Sequence, residues 1–209
     1  LGKEIGPIEL WTARGDPLRA GSPLWLLRAA VRGAAGIAEG DHLDVMRQKL
    51  RARATRHLGA GDATRVVEFV GELAGVPFPD EESLPLSAAR RDPMVMGDQM
   101  RRAFEEWVAA ECATRPLVIV LDDLQWGDLP SVQYLDWVLR KLRDLPLFVV
   151  AFARPEVHDL FPRVWEGRSL HEVRLGDLTR RAGERLVREL LADRATDADV
   201  AQDRKSTRL

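Results

Sequence analysis

Two adjacent carboxylates, Asp122 and Asp123, are the residues in this chain whose types and spacing point most directly to chemistry. They follow five apolar residues in a row, at positions 117–121. Carboxylate oxygens are the ligands that Mg²⁺ takes from proteins, and a second acid beside such an ion can orient or deprotonate an attacking water. The pair therefore indicates a site for a divalent cation and for the activation of water.

The apolar run before the two acids predicts a β-strand. A short run that is apolar at every position and rich in β-branched residues is typical of a parallel strand buried on both faces. In open parallel sheets, ligands bind outside the carboxyl ends of the strands, which is where Asp122 and Asp123 would stand. The alternative is a core strand that simply ends in a polar turn and binds nothing.

Two further segments predict strands. Residues 8–13 alternate loosely between apolar and polar types, which predicts a strand that leaves into a loop. On the other side, Asp128 is a plausible N-cap for a helix, which leads to a second apolar strand over residues 147–153, and Arg154 follows that strand at once. Strand, helix and strand at this spacing predict a parallel βαβ unit.

The rest of the sequence is predicted to be mainly helical. Ser22 and Pro23 have the types expected at the N-cap and first position of a helix. Further helices are predicted over residues 41–59, from Asp62 onward and over residues 97–114, with a loop over residues 75–85, an edge strand over residues 170–175 and a last helix from Thr179 to Leu191. The first two of these further helices, at about residues 41–75, are interpreted as a helical insertion.

Composition excludes several classes of protein. The 209 residues carry 31 basic and 33 acidic side chains, a net charge of −2, which leaves no basic footprint for direct nucleic-acid binding and no charged block for a membrane surface. Cys112 is the one cysteine, so the sequence has neither a disulfide framework nor a thiolate metal site. No apolar run approaches the ~20 residues of a membrane span. A cytoplasmic protein with one sizeable α/β domain is expected.

The order of these features resembles the ATPase modules of STAND-type P-loop proteins, the AAA-like regulatory ATPases of LuxR-type regulators, bacterial adenylate cyclases and large Ser/Thr kinases. The resemblance rests on the sequence D-D-L-Q-W-G-D at positions 122–128, the helix after it, and a strand ending in Arg154-Pro155-Glu156. Gly127 stands where the family usually has alanine. The resemblance spans about residues 8–191 and implies an α/β, P-loop NTPase-like fold whose mainly parallel sheet is flanked by helices.

The resemblance also implies a role for each site residue. Asp122 would be the Walker B ligand that holds Mg²⁺ through a bound water, and Asp123 would be the catalytic carboxylate beside the attacking water. Arg154 would be a sensor of the γ-phosphate, because a guanidinium matches phosphate oxygens at two points. The alternative for Arg154 is an ordinary surface ion pair. Gln125 and Trp126 are interpreted as packing and turn residues under the site.

One motif that such modules need is not in the sequence. A phosphate loop, G-x-x-x-x-G-K-[ST], cradles phosphates with its amides and its lysine, whereas here Gly2-Lys3 is followed by Glu4. The resemblance therefore implies a partial ATPase domain over residues 1–195, without phosphate-binding residues and without the central P-loop strand expected beside the Walker B strand. Residues 196–209 are expected to be a disordered or non-native tail.

Two functions follow as hypotheses. The first is part of a signal-transduction ATPase that, in a complete parent protein, binds ATP and Mg²⁺ and drives an effector domain of the same polypeptide (a kinase, a cyclase or a DNA-binding domain), with self-association possible. The fragment alone is expected to be inactive. The second is a nucleotide-free scaffold that holds neighbouring domains of a signalling protein.

Overall fold

The structure, a computed structural model, describes residues 6–59, 61–81, 83–177 and 179–191, and for residues 186–191 it describes the backbone alone. The chain divides into two compact units, one formed by residues 1–169 and the other by residues 170–209. The acid pair and the predicted strands over residues 8–13 and 147–153 belong to the first unit.

The first unit is built on a three-stranded sheet in which both strand pairs are parallel. The strands are β1 (Glu9–Arg14), β2 (Leu117–Asp122) and β3 (Leu147–Ala151), in the order β1-β2-β3. This confirms the predicted parallel βαβ unit. Both edges of β2 are paired, so a further strand could join only at the outer edge of β1 or of β3. The expectation of an absent strand directly beside the Walker B strand is therefore wrong.

The two faces of the sheet are covered unequally. Trp11, Ile119 and Leu121 lie on one face and are almost completely buried. On the opposite face the parallel register puts Leu10 beside Val118 and Phe148. Leu10 is 53% exposed and Phe148 is 63% exposed. The prediction that the central strand is buried on both faces is wrong for this second face, because no helical layer in the described part of the chain covers it as one covers the first.

Eight helices are found in the described residues. They are α1 (Trp25–Ala34), α2 (Leu43–Ala54), α3 (Ala63–Ala74), α4 (Leu84–Arg90), α5 (Pro93–Thr114), α6 (Leu129–Lys141), α7 (Val157–Leu160) and α8 (Arg180–Leu191). Helices α5 and α6 meet the buried face of the sheet through an aromatic cluster in which Trp11 packs on Phe104 and Trp107, and Phe104 packs on Tyr134. The coarse prediction of a parallel sheet flanked by helices is confirmed.

Several predicted helix boundaries differ from the structure. Helix α4 falls at the end of the predicted loop, and it begins there because Ser83 accepts a hydrogen bond from the amide of Leu86. Helix α5 begins four residues earlier than predicted, since Asp92 caps the amides of Met94 and Val95. Helix α1 begins at Trp25 rather than at the predicted Ser22-Pro23 cap.

The amino end of the sheet carries a buried charge cluster. Arg53 of α2 donates to both carboxylate oxygens of Glu111 in α5, and its Nη2 lies 2.6 Å from Oε1 of Glu9 at the start of β1. Trp107 Nε1 also donates to Glu111 Oε1, at 3.2 Å. Arg53 is 6% exposed and Glu111 is fully buried. These side chains tie helix α2, within the segment interpreted as an insertion, to α5 and to the sheet.

The second unit contains α8, and Thr179 caps it as predicted, because its hydroxyl oxygen accepts a hydrogen bond from the amide of Ala182. Residues 170–175 form no strand, and Val173 and Leu175 are 68% and 87% exposed. Residues 170–175 alternate between apolar and polar types, but in the part of the chain that the structure describes no strand pairs with them. The prediction of an edge strand is therefore wrong. The predicted tail, residues 196–209, lies outside the described residues.

No helix in the described part of the chain is both long enough and apolar enough to cross a bilayer.

Candidate functional site

The two acids lie at the carboxyl end of the central strand, as predicted. Asp122 is the last residue of β2 and Asp123 begins the short 3₁₀ turn Leu124–Trp126. Asp123 has φ 52° and ψ 44°, a left-handed conformation that is uncommon for a non-glycine residue and that frequently marks functional turns. The side chain of Asp122 is 52% exposed and that of Asp123 is 25% exposed. Both carboxylates can therefore meet a ligand from solution.

Arg14 is a site residue that the sequence did not predict. It ends β1 in register with Asp122, so its guanidinium reaches the acids from the neighbouring strand. Its Nε and Nη2 both lie 2.8 Å from Oδ2 of Asp123, and Nε lies 3.5 Å from Oδ2 of Asp122. The signal that could have found it was available: a cation directly follows one predicted strand, and an acid directly follows another.

The approach of β1 to the acid turn depends on Gly15. Its amide donates to the carbonyl oxygen of Asp122 at 2.8 Å. A Cβ atom on residue 15 would lie 2.3 Å from the carbonyl oxygen of Asp123, which is closer than van der Waals contact allows. A glycine is therefore needed where the end of β1 passes the turn, and it allows Arg14 to stay next to Asp123.

Gln125 also belongs to the site, which extends its interpretation as a packing residue. Its Nε2 donates to Oδ1 of Asp123 at 3.0 Å, and its Oε1 accepts from the amide of Arg154 at 3.1 Å. The side chain is buried, with 4% exposure. Trp126, by contrast, makes its hydrogen bond through its backbone amide to the carbonyl of Asp123, as a turn residue does.

Arg154 lies at the same edge of the sheet as the acids. The backbone around it is tied to the acid turn, since Leu124 donates to the carbonyl of Phe152 and Phe152 donates to the carbonyl of Leu121. The positive charge of Arg154 acts on Asp123 and contributes to lowering the pKa of that carboxyl. The structure thus brings all three predicted site residues, Asp122, Asp123 and Arg154, to one edge.

Asp123 is held as an anion. The hydrogen bond from Gln125 is the largest cause that lowers the pKa of Asp123, followed by the hydrogen bond from Arg14 and the charges of Arg14 and Arg154. In return, Asp123 raises the pKa of Arg14. A lowered pKa makes a carboxylate a weaker base. In this arrangement Asp123 suits orienting a water or supporting a cation better than removing a proton.

Asp128 fixes the far end of the acid turn. Its two oxygens accept hydrogen bonds from the amides of Leu24 and Leu26, at the start of α1, and from the amide and hydroxyl of Ser131, in α6. The prediction that Asp128 caps α6 is confirmed. The same carboxylate also caps α1, which explains why that helix does not use the predicted Ser22 cap.

A cavity of about 660 Å³ opens next to the acids on the poorly covered face of the sheet. Arg14 and Asp122, the last residues of β1 and β2, line its charged end. The rest of its lining consists of Thr12, Ala13, Ala29, Val120 and Phe152. The site therefore combines charged groups at the strand ends with an apolar wall along the strands.

The carboxylates of Asp122 and Asp123 suit the way in which proteins usually bind Mg²⁺. In the described residues, no group of three or more His, Cys, Asp or Glu side chains is placed to enclose a metal ion. Mg²⁺ does not need such a group, because it keeps several waters and is usually bound by one or two carboxylates together with phosphate oxygens of the substrate. Asp122 and Asp123 offer that number of carboxylates.

Comparison with known proteins identified no relative: no family model, no curated protein and no solved structure matched this chain.

Proposed function

We propose that this chain is the Walker B part of an ATP-hydrolysing regulatory module. The observation that carries the proposal is the position of Asp122 and Asp123 at the carboxyl end of the central strand of a parallel sheet, with Arg14 and Arg154 beside them. In open α/β sheets this edge is where ligands bind, and two acids with two arginines suit a ligand made of a divalent cation and phosphates.

Each residue has a part in the proposed reaction. Asp122 would hold Mg²⁺ through a bound water, and Asp123 would orient the attacking water beside it. Arg154 would contact the γ-phosphate. Arg14 would balance the charge of the acid pair before the metal and the nucleotide bind, since its side chain is 73% exposed and is free of the packing that fixes buried arginines. Bound Mg²⁺ would supply the electrostatic stabilisation of the transferred phosphoryl group.

The phosphate loop would come from a segment outside these 209 residues. The outer edge of β3 offers main-chain hydrogen-bonding groups to a further parallel strand, and the exposed residues Leu10 and Phe148 offer an apolar face to a helix. All-parallel sheets are normally covered by helices on both faces. Among the residues that the structure describes, the outer edge of β3 is unpaired and the Leu10 and Phe148 face is partly exposed, and both features lie beside the proposed site.

The handedness of crossover connections links the outer edge of β3 to the face on which Leu10 and Phe148 are exposed. The helices that join β1 to β2 and β2 to β3 pack on the Trp11 face. A strand added beside β3 and followed by β1 would cross the sheet in the opposite direction, so a right-handed crossover would place its helix on the opposite face. That is the face on which Leu10 and Phe148 are exposed. One segment made of a strand and a following helix would therefore both pair with the outer edge of β3 and cover this face.

The test is ATP hydrolysis by a longer polypeptide that carries this chain together with a glycine-rich phosphate loop. We expect Mg²⁺-dependent turnover, and a loss of at least about a hundredfold in kcat for Asp122→Ala and for Asp123→Ala, since each removes a group that acts on the transferred phosphoryl group or on the attacking water. Asp144→Ala is the matched control, because Asp144 is an acid that is 89% exposed and lies away from the site. Turnover at the parent rate in both site variants would show that the site is assigned wrongly.

A nucleotide-free scaffold is the second candidate. The observation that favours it is the ion pair itself: Arg14 already satisfies Oδ2 of Asp123, and Gln125 satisfies Oδ1. A scaffold needs no ligand at this edge. It predicts that the longer polypeptide shows neither turnover nor binding with ATP and Mg²⁺, while it still holds its neighbouring domains.

A further inference from the structure

Gln125 lies at the centre of the acid turn, between the two segments that carry the predicted catalytic groups. It is the middle residue of the 3₁₀ turn Leu124–Trp126, and its side chain is buried although the turn is at the edge of the sheet. A buried amide must satisfy both its donor and its acceptor, because an unpaired polar group away from water is costly. Gln125 does so with one partner from each segment.

The two hydrogen bonds of Gln125 run in opposite directions. Its Nε2 donates to Oδ1 of Asp123, two residues away. Its Oε1 accepts from the amide of Arg154, 29 residues away in sequence, after β3. The amide group therefore forms a continuous hydrogen-bonded connection from the Asp123 carboxylate to the backbone that carries the Arg154 side chain.

The chemistry of the two partners explains why a glutamine suits this position. The amide of Arg154 can only donate, and the ionised carboxylate of Asp123 can only accept. A glutamate at position 125 would accept from Arg154 but would place a second negative charge against Asp123. A leucine of similar size would satisfy neither partner. Within the described residues, Gln125 is the side chain that hydrogen-bonds to both segments.

We propose that Gln125 is a positioning residue that couples the orientation of the Asp123 carboxylate to the position of the Arg154 backbone. A displacement of Arg154 when its guanidinium contacts an anion then shifts Oε1, and with it the donor that holds Oδ1 of Asp123. The use of this coupling in ATP hydrolysis rests on the proposed function. The coupling itself is a property of this chain and needs no nucleotide.

The experiment measures amide hydrogen exchange at Arg154 by NMR in the 209-residue chain. Loss of the acceptor in Gln125→Leu is expected to speed exchange of the Arg154 amide by roughly fivefold, the value of one ordinary hydrogen bond. Asp123→Ala removes the other partner of Gln125, and it is expected to speed exchange at Arg154 although it does not touch that residue. Asp144→Ala is the matched control and leaves exchange at Arg154 unchanged, because Asp144 is an exposed acid that precedes β3 and lies away from the acid turn.

A swapped pair separates coupling from a general loss of packing. Gln125→Glu alone places two carboxylates together and is expected to speed exchange at Arg154. The double variant Gln125→Glu/Asp123→Asn restores one donor and one acceptor in reversed order, so exchange should return to within about twofold of the wild type. Far-UV circular dichroism checks that each variant is folded.

The proposal is overturned if Asp123→Ala leaves exchange at Arg154 at the wild-type rate, if Asp144→Ala speeds it equally, or if the swapped pair stays as fast as Gln125→Glu. These outcomes are independent of the proposed function, which fails on a different result, the absence of ATP turnover and binding in the longer polypeptide.

Discussion

Strand β1 has a charged cluster at each end, and the two clusters differ in burial rather than in composition. At the amino end Arg53 lies between Glu9 and Glu111, and at the carboxyl end Arg14 lies beside Asp122 and Asp123. Arg53 is 6% exposed, whereas the side chain of Arg14 is 73% exposed. In both clusters one arginine lies between or beside two acids, and a second arginine is near: Arg115 Nη1 lies 3.8 Å from Oε2 of Glu9, and the charge of Arg154 acts on Asp123.

The difference in burial distinguishes a structural ion cluster from a candidate binding site. In the buried cluster every charge is matched by a fixed partner, and breaking such a set leaves a charge without compensation in a nonpolar region. In the exposed cluster the same groups are solvated, so water, a metal ion or a phosphate can replace the ion pair at little cost. Composition alone therefore does not distinguish a structural ion cluster from a candidate site.

The largest expected effect of a substitution is at the amino end. Arg53→Ala should lower the free energy of unfolding by about 3 kcal/mol or more, because the fully buried Glu111 loses its partner. Urea denaturation followed by circular dichroism measures this change. Arg56→Ala is the control, since Arg56 is an exposed arginine close to the end of α2. A loss no greater than that of the control would mean that the buried cluster does not hold the fold.

An intermediate effect is expected at Asp128, which lies at the carboxyl end but is buried. Asp128→Ala removes a side-chain cap from both α1 and α6, and a cap stabilises by about 1 kcal/mol, so a loss of about 2 kcal/mol is expected. Asp128→Asn keeps one acceptor oxygen and should lose less. If Asp128→Ala is as stable as the wild type in urea, the shared cap does not determine the start of α1.

The smallest effect on stability is expected at Arg14. Arg14→Ala should shift the melting temperature by no more than about 3 °C at neutral pH, because an exposed ion pair is screened by solvent. Calorimetric melting of the two proteins measures this shift. A shift as large as that of Arg53→Ala would remove the contrast between the two ends of the strand.

The effect of Arg14→Ala should also depend on pH. The pKa of Asp123 is lowered by folding, so its carboxylate favours the folded state above its ordinary pKa, and this contribution is lost as the pH falls through the lowered pKa. The small difference between wild type and Arg14→Ala should therefore disappear on acidification. A difference that grows at low pH would contradict this assignment of the pKa shift.

The thiol of Cys112 gives a reporter for the buried end. Burial, together with the negative charge of Glu111, raises the pKa of Cys112 to about 11. Since the thiolate is the reactive form, a thiol reagent at pH 8 should label Cys112 at the rate at which the protein opens, not at the rate seen in a free peptide. Arg53→Ala should speed labelling and Arg14→Ala should not. Equal labelling rates in the two variants would show that Cys112 does not report on the stability of the buried cluster.

Most of what the sequence predicted correctly came from local patterns. The runs at positions 117–121 and 147–153 were recognisable as strands because they are short, apolar and bounded by polar residues, although the second ends at Ala151. The carboxyl-end position of Asp122 and Asp123 followed from parallel pairing alone. Helices with clear spacing, such as α2 and α3, lay close to where the pattern put them.

What was missed depends on contacts between distant residues. Arg14 and Asp123 are 109 residues apart, and the Asp128 cap on α1 spans more than a hundred residues. The buried set of Arg53, Glu111 and Glu9 joins three elements and resembles ordinary surface charge in the sequence. Partial exposure of the second face of β2 also could not be read from its residues, because an apolar run indicates what a strand can bury and not what covers it.

The proposed site at the carboxyl end is tested most directly by titration calorimetry of Mg²⁺·ATP into the longer polypeptide that carries a phosphate loop. We expect saturable heat that requires Mg²⁺, that is lost or weakened at least tenfold in Asp122→Ala, and that is unchanged in Asp144→Ala. An absence of heat in the parent protein, or equal binding by the parent and Asp122→Ala, would contradict the assignment of this edge as a metal–nucleotide site.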